Sequence, residues 1–129
     1  MLFHIFNSQE ERRNFGGSAF IEVQFCKLPV GTKLKKIVSL SSIKYWQNDS
    51  LYIDDADLFY TEYQHIFDCG IYDNLNKGVV DIFGINYYAP NLLDSIIERL
   101  NNDKPTDYST LKEWLIKSKE YNGVYILGI

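Results

Sequence analysis

The chain has 129 residues, of which 46% are apolar, and a formal net charge of −4. This length and composition predict one packed domain over residues 1–129 and exclude a disordered chain. The acidic balance argues against direct binding of nucleic acid, which requires clustered lysine and arginine. The sequence has only two cysteines, and it lacks the run of roughly 18 apolar residues that a membrane span needs. We therefore expect a cytoplasmic protein with no membrane contact.

The charge is concentrated in one region of the chain. Residues 1–44 carry seven basic and three acidic side chains. Residues 45–76 carry seven acidic side chains and no basic one, and residues 77–129 carry six basic and seven acidic side chains. The middle region, which we call the acidic segment, also holds eight aromatic rings. A negative field steers a basic protein towards such a region, and aromatic rings supply rigid contact area. The pattern therefore indicates a protein-binding surface.

The first part of the chain is typical of strands. Residues 2–6 predict a short strand, and the polar stretch 7–14 predicts a loop. Apolar and polar residues alternate through 19–25, as in a half-buried strand. β-branched and aromatic residues over 34–46, followed by a turn and the apolar residues 51–53, predict a hairpin.

Helical spacing begins at Asp55. Large apolar side chains recur at helical intervals between Phe59 and Phe67, which predicts a helix over 55–68. Aspartates at its start suit the unpaired N–H groups of a first helical turn. A second helix is predicted from Pro90, because proline fits the first turn of a helix.

Between and after these helices the sequence predicts further strands and a third helix. The stretch 78–88 is strongly β-prone, and the apolar stretch 124–129 predicts a strand inside the sheet. Between them, 108–121 predicts a helix in which Thr110 and Glu113 have the spacing of a capping box. Together the elements predict an α+β domain with a mostly antiparallel sheet and about three helices on one face.

One set of side chains has the residue types of an enzyme site. Glu62, His65 and Cys69 fall within about 60° of each other on the predicted helix, and an imidazole can activate a thiol. Asp81 interrupts an apolar strand, a position that active-site carboxylates sometimes occupy. A small hydrolase or thiol enzyme therefore stays open, although no nucleotide, metal or hydrolase motif occurs and no cofactor is predicted. Calcium binding by an EF-hand is excluded, because Tyr60 stands where that loop requires glycine.

A homo-oligomeric scaffold is also compatible with the sequence. Its apolar strands would pair across a symmetric interface. A size measurement at two protein concentrations separates such a scaffold from a monomeric binder.

The acidic segment resembles bacterial immunity proteins of the polymorphic-toxin and contact-dependent-inhibition type. The resemblance lies in the size and acidity of the chain and in the stretch DSLYIDDADLFYTEYQHIFDCGIYD over 49–73. It implies a protein that is not an enzyme and that neutralises a basic toxin, expected to be a nuclease domain, by covering it. Carboxylates would mimic nucleic-acid phosphates and tyrosines would anchor the partner. The residues predicted for these roles are the carboxylates Asp54, Asp55, Asp57 and Glu62 and the tyrosines Tyr52 and Tyr60.

Overall fold

A computed structural model describes residues 1–16 and 20–128, which form seven β-strands and five α-helices. The strands are β1 (Phe3–His4), β2 (Ile21–Phe25), β3 (Leu51–Ile53), β4 (Gly70–Ile71), β5 (Lys77–Gly78), β6 (Ile85–Tyr88) and β7 (Val124–Leu127). The helices are α1 (Gln9–Phe15), α2 (Leu34–Ile37), α3 (Ala56–Tyr63), α4 (Pro90–Asp103) and α5 (Tyr108–Ser118). The first residue of the predicted strand 19–25 and the last of 124–129 lie outside the described residues.

The strands form one sheet in the order β1-β3-β2-β7-β6-β4-β5, and every pair is antiparallel. The predicted α+β class with an antiparallel sheet is confirmed. Strand β7 lies between β2 and β6 with all four residues buried, so its predicted place inside the sheet is also confirmed.

Apolar side chains cover both faces of the sheet. Val23 and Ile126 point to one face, where they share a buried cluster with residues of α3, α4 and α5. Tyr125 and Leu127 point to the other face and pack with Ile37 of α2. The prediction of about three helices on one face is not confirmed, because the described residues contain five helices.

Helix α1 forms where a loop was predicted. The Ser8 hydroxyl accepts a hydrogen bond from Glu11 N at 3.1 Å, and the Glu11 carboxylate accepts one from Asn7 N at 3.1 Å. This reciprocal arrangement satisfies backbone donors at the start of the helix. The local signal for this helix is the Ser-x-x-Glu spacing at positions 8–11.

The strand predicted over 34–46 is wrong, and so is the hairpin built on it. The segment contains α2 and a 3-10 turn at Leu40–Ser42, and β3 pairs with β1 and β2 instead. The N–H groups of Ile37 and Val38 donate to the carbonyls of Lys33 and Leu34. At the end of the segment the buried carboxylate of Glu22 accepts hydrogen bonds from Trp46 N at 2.9 Å and Gln47 N at 3.3 Å. Backbone donors that bind a carboxylate are not available to a strand ladder.

Three further predictions need correction. Helix α3 ends at Tyr63, not at residue 68, although the apolar stripe is fully buried as expected. Residues 79–84 leave the sheet between β5 and β6, so 78–88 is not one strand. Thr110 and Glu113 do not cap α5, because that helix starts at Tyr108 and its cap residue is Asp107.

Buried tyrosine hydroxyl groups fasten the connecting segments to the core. Tyr63 donates a hydrogen bond to Thr106 O at 2.5 Å, Tyr87 to Asn122 O at 2.7 Å and Tyr88 to Phe67 O at 3.2 Å. Tyr125 donates to Ile37 O at 2.5 Å. Burial is the main cause that raises the pKa of all four hydroxyls, to about 12 for Tyr87.

These pKa values predict a loss of stability in alkaline solution. Tyrosines of the unfolded chain ionise near pH 10, whereas Tyr87 keeps its proton to about pH 12 in the folded protein. Between about pH 10 and pH 12 the folded state binds more protons than the unfolded state, so the free energy of unfolding falls as pH rises. Below about pH 10 these hydroxyls leave the free energy of unfolding unchanged. Urea denaturation at pH 9, 10 and 11 measures this loss.

The variant Tyr87→Phe provides the control. It lacks the titrating hydroxyl, so its free energy of unfolding should fall less steeply above about pH 10 than that of the wild type. An equal pH slope in both proteins would show that Tyr87 ionises normally in the folded state.

Candidate functional site

The acidic segment is exposed at the surface from the start of helix α3. Asp55 is its N-cap, and one Asp55 carboxylate oxygen accepts a hydrogen bond from Leu58 N at 3.0 Å. Asp57, in the first turn, is exposed and complements the positive end of the helix dipole. Because Phe59 and Tyr63 are buried, the helix has one inward face, two flanks and an outer face that carries Asp57.

Three of the predicted carboxylates lie on one side of α3 and are engaged in contacts within the chain. Asp54 Oδ1 lies 3.1 Å from His4 Nε2 of β1. Glu62 accepts hydrogen bonds from Thr106 N at 2.9 Å and from the Thr106 hydroxyl at 2.8 Å. With the capping role of Asp55, these contacts tie strand β1 and the connection between α4 and α5 to helix α3.

Tyr60 lies on the opposite flank of α3. Residues two positions apart on an α-helix are rotated by about 200° around the helix axis, so the side chains of Tyr60 and Glu62 point roughly 160° apart. Tyr60 borders a groove of about 490 Å³ that we call the tyrosine groove. The structure therefore does not bring Tyr60 together with Asp54, Asp55 and Glu62. The residues that line the groove are Tyr60, Tyr72, Val79, Val80, Asp81, Ile82 and Phe83.

The prediction that Tyr52 anchors a partner is wrong. Its side chain is 0% exposed, it packs with Phe6 and Phe20, and its hydroxyl donates a hydrogen bond to Gln47 O at 2.5 Å. Tyr52 lies in β3 beside Glu22 of β2, so the sheet and α1 cover it. A tyrosine that neighbours aspartates in the sequence can therefore be buried in the fold.

The walls of the tyrosine groove are apolar and open to solvent. Phe83 is 75% exposed and Val79 is 48% exposed. The Tyr72 hydroxyl donates a hydrogen bond to Val79 O, which holds the Tyr72 ring beside the segment 79–83. Gly78 makes this packing possible, because a Cβ atom at Gly78 would overlap the Tyr72 hydroxyl.

Negative charge surrounds the groove. Burial raises the pKa of the Tyr72 hydroxyl, and the carboxylates of Asp81 and Asp68 raise it further. Asp81 lines the groove, and both Asp81 and Asp68 are exposed. Asp73 is exposed as well, but its carboxylate raises the pKa of Tyr45 and not that of Tyr72. The groove thus combines an apolar lining with an acidic rim.

Asn86 positions the segment that lines the groove. Its side-chain oxygen accepts a hydrogen bond from Asp81 N at 2.8 Å, and its nitrogen donates to Asp81 O at 2.8 Å and to Ile126 O at 2.9 Å. Asn86 is fully buried in β6. The Asp81 carboxylate in turn accepts a hydrogen bond from Phe83 N at 2.9 Å, which shapes the turn that presents Phe83.

The sequence singles out Asp81 only as a possible active-site carboxylate, and it does not predict that Val79 and Phe83 are exposed. The available signal was the interruption of the apolar stretch 78–88 by Asp81 and by Gly84. Such interruptions mark a chain that leaves the sheet.

Glu62 and His65, two of the residues considered for enzyme chemistry, contact other side chains and not each other among the described residues. Helix α3 ends before His65, and His65 Nε2 contacts Asp103 Oδ2 at 2.5 Å, whereas Glu62 contacts Thr106. Cys69 is exposed just before β4, and Cys26 is buried. Within residues 1–16 and 20–128, no group of three or more His, Cys, Asp or Glu side chains is placed to hold a metal ion.

The chain matches no model of a known protein family, no curated protein and no solved structure. Within the residues that the structure describes, no helix is both long and apolar enough to cross a membrane. Function must therefore be inferred from the contacts and charges of the surface itself.

The role of Asn86 can be tested by the substitution Asn86→Ala. It leaves the Asp81 N–H and the Ile126 carbonyl without their partner, so the free energy of unfolding should fall by about 3 kcal/mol. Urea denaturation measures the loss, and Asn101→Ala, at an exposed position of α4, should change stability by less than about 0.5 kcal/mol. Equal stability of Asn86→Ala and wild type would contradict the role assigned to Asn86.

Proposed function

We propose that the protein is an immunity-type binding protein that neutralises a basic toxin, a nuclease domain, by covering it. The observation that carries this proposal is the tyrosine groove, whose exposed apolar side chains are bordered by aspartates. Residues 45–76, which supply Tyr60, Tyr72 and part of the acidic rim, contain no lysine or arginine. The combination fits a basic protein that also presents apolar side chains.

The charges and the rings have separate roles in this proposal. Exposed carboxylates attract a basic face that evolved to hold phosphates, which makes association fast and dependent on salt. Apolar side chains then lose their contact with water at the centre of the interface, which slows dissociation. Asp57 and Tyr60 keep the contact roles predicted for them, because Asp57 is exposed and the half-buried Tyr60 lines the tyrosine groove.

The carboxylates on the other side of α3 contribute differently. Asp54, Asp55 and Glu62 add to the negative field, but each already contacts a group within the chain. Charge reversal at these positions would disturb the fold as well as binding. Asp57 and Asp73 are better probes, because no hydrogen bond or ion pair of either side chain occurs among the described residues.

The cytoplasm is the proposed place of action. Both cysteines are free thiols, and Cys69 is exposed. A reducing compartment keeps such thiols unpaired.

The proposal predicts selective capture of a toxic basic protein. Wild-type protein, the double variant Asp57→Lys with Asp73→Lys, and a control with Glu113→Lys and Glu120→Lys serve as baits in lysate of the native cell at low salt. The two variants have the same net charge, but the control changes exposed residues of α5 and the turn after it. A basic protein should bind to the wild type and the control and be lost from the double variant.

Growth of cells then tests neutralisation. Expression of the captured protein alone should stop growth, and co-expression of the wild type should restore it. A captured protein that is harmless, or whose toxicity the wild type does not relieve, would contradict the immunity function. Equal loss of capture by both variants would show that only net charge matters and not the acidic surface.

A further inference from the structure

Leu75 has a backbone conformation that leucine rarely adopts. Its φ is +70°, in the left-handed region where glycine and asparagine are usual. Leu75 N donates a hydrogen bond to Tyr72 O at 3.0 Å, and Tyr72 N donates one to Asn76 O at 2.9 Å. The residue therefore sits in a tight turn between β4 and β5 that fixes its conformation.

The strain at Leu75 is not offset by burial of its side chain. Leu75 is 47% exposed and belongs to none of the buried clusters among the described residues. Asn74 and Asn76 flank it, so the turn contains the residue type that would adopt this conformation more easily. Strained positions of this kind are concentrated where a protein contacts a ligand or partner.

Leu75 belongs to a longer exposed apolar stretch. Leu75, Val79 and Phe83 are all exposed within nine residues of chain, and Val79 and Phe83 line the tyrosine groove. Asp81 lies within this stretch and Asp73 lies two residues before it; both are exposed, as is Lys77 between them. An exposed patch that combines large apolar side chains with a charged rim is typical of a protein interface.

We propose that Leu75, Val79 and Phe83 form the apolar centre of the partner-binding surface. The occupant is a ridge of the toxin in which apolar side chains alternate with lysine or arginine. The apolar side chains enter the tyrosine groove, and the basic side chains meet Asp81 and Asp68, whose carboxylates act on Tyr72. This assignment rests on the proposed function and names the chemistry of the partner at that site.

Charge complementarity distinguishes this patch from the exposed apolar side chains of the segment 27–44. Val30, Leu34 and Leu40 are also exposed, but they lie in the segment 27–44, which contains five lysines and no acidic residue. A basic partner would be repelled there. The patch around Leu75 is therefore the one suited to a basic, partly apolar ridge.

The strain is tested first by thermal unfolding of Leu75→Asn. Asparagine tolerates the left-handed conformation, so the melting temperature should rise by about 3 °C. The control is Leu40→Asn, which removes another exposed leucine from a position without positive φ and should not raise the melting temperature. A melting temperature of Leu75→Asn at or below that of the wild type would overturn the assignment of strain.

Binding is tested with a short peptide of alternating leucine and lysine, followed by NMR of the 15N-labelled protein. The peptide at millimolar concentration should shift the amide signals of residues 72–83. The affinity should fall about tenfold in Leu75→Asn and in Phe83→Ser but not in Leu40→Asn. Peptides of lysine with serine, or of leucine with glutamate, should bind at least about tenfold more weakly.

The results separate this inference from the proposed function. Absence of shifts in 72–83, shifts confined to another surface, or equal binding of the lysine–serine peptide would overturn the groove assignment. If Leu75→Asn and Phe83→Ser restored growth as efficiently as the wild type, the groove assignment would also be overturned, but the immunity function would stand. If the peptide bound in the groove but no toxic partner were captured, the result would support the binding surface and contradict the proposal that the partner is a toxin.

Discussion

The three hydrogen bonds of the Asn86 side chain are the constraint on which the proposed surface depends. Asn86 joins Asp81, where the chain has left the sheet, to Ile126 in the central strand β7. The segment between β5 and β6 is thereby attached to the most protected part of the fold. An interface built on such a segment is preorganised, so little conformational entropy is lost on binding. Apolar side chains such as Phe83 can then be exposed without a mobile loop.

The acidic residues of this protein have two kinds of role, and charge alone does not distinguish them. Glu22, Asp55 and Glu62 accept hydrogen bonds from backbone N–H groups and hold segments together. Asp57 and Asp73 are exposed and make no such contact among the described residues. We therefore propose the Tyr60 side of α3, and not its His4 side, as the centre of the binding surface.

Local patterns in the sequence predicted the elements whose contacts are local. The apolar stripe of α3, the proline at the start of α4 and the apolar strand β7 all depend on spacing within one element. The end of the segment 34–46 could not be predicted in this way, because Trp46 N donates to Glu22, more than twenty residues earlier in the chain. Burial of Tyr52 likewise follows from the coverage of β3 by distant residues. Helix α1, by contrast, had a readable local signal at Ser8 and Glu11.

Hydrogen exchange of the protein with and without its captured partner tests the central claim most directly, because it locates the contact without any substitution. The account predicts protection of the amides at the exposed side of α3 and in residues 72–83, with no change in 27–44. Protection confined to residues 27–44, or to the N-terminal strand and the connection between α4 and α5, would contradict it.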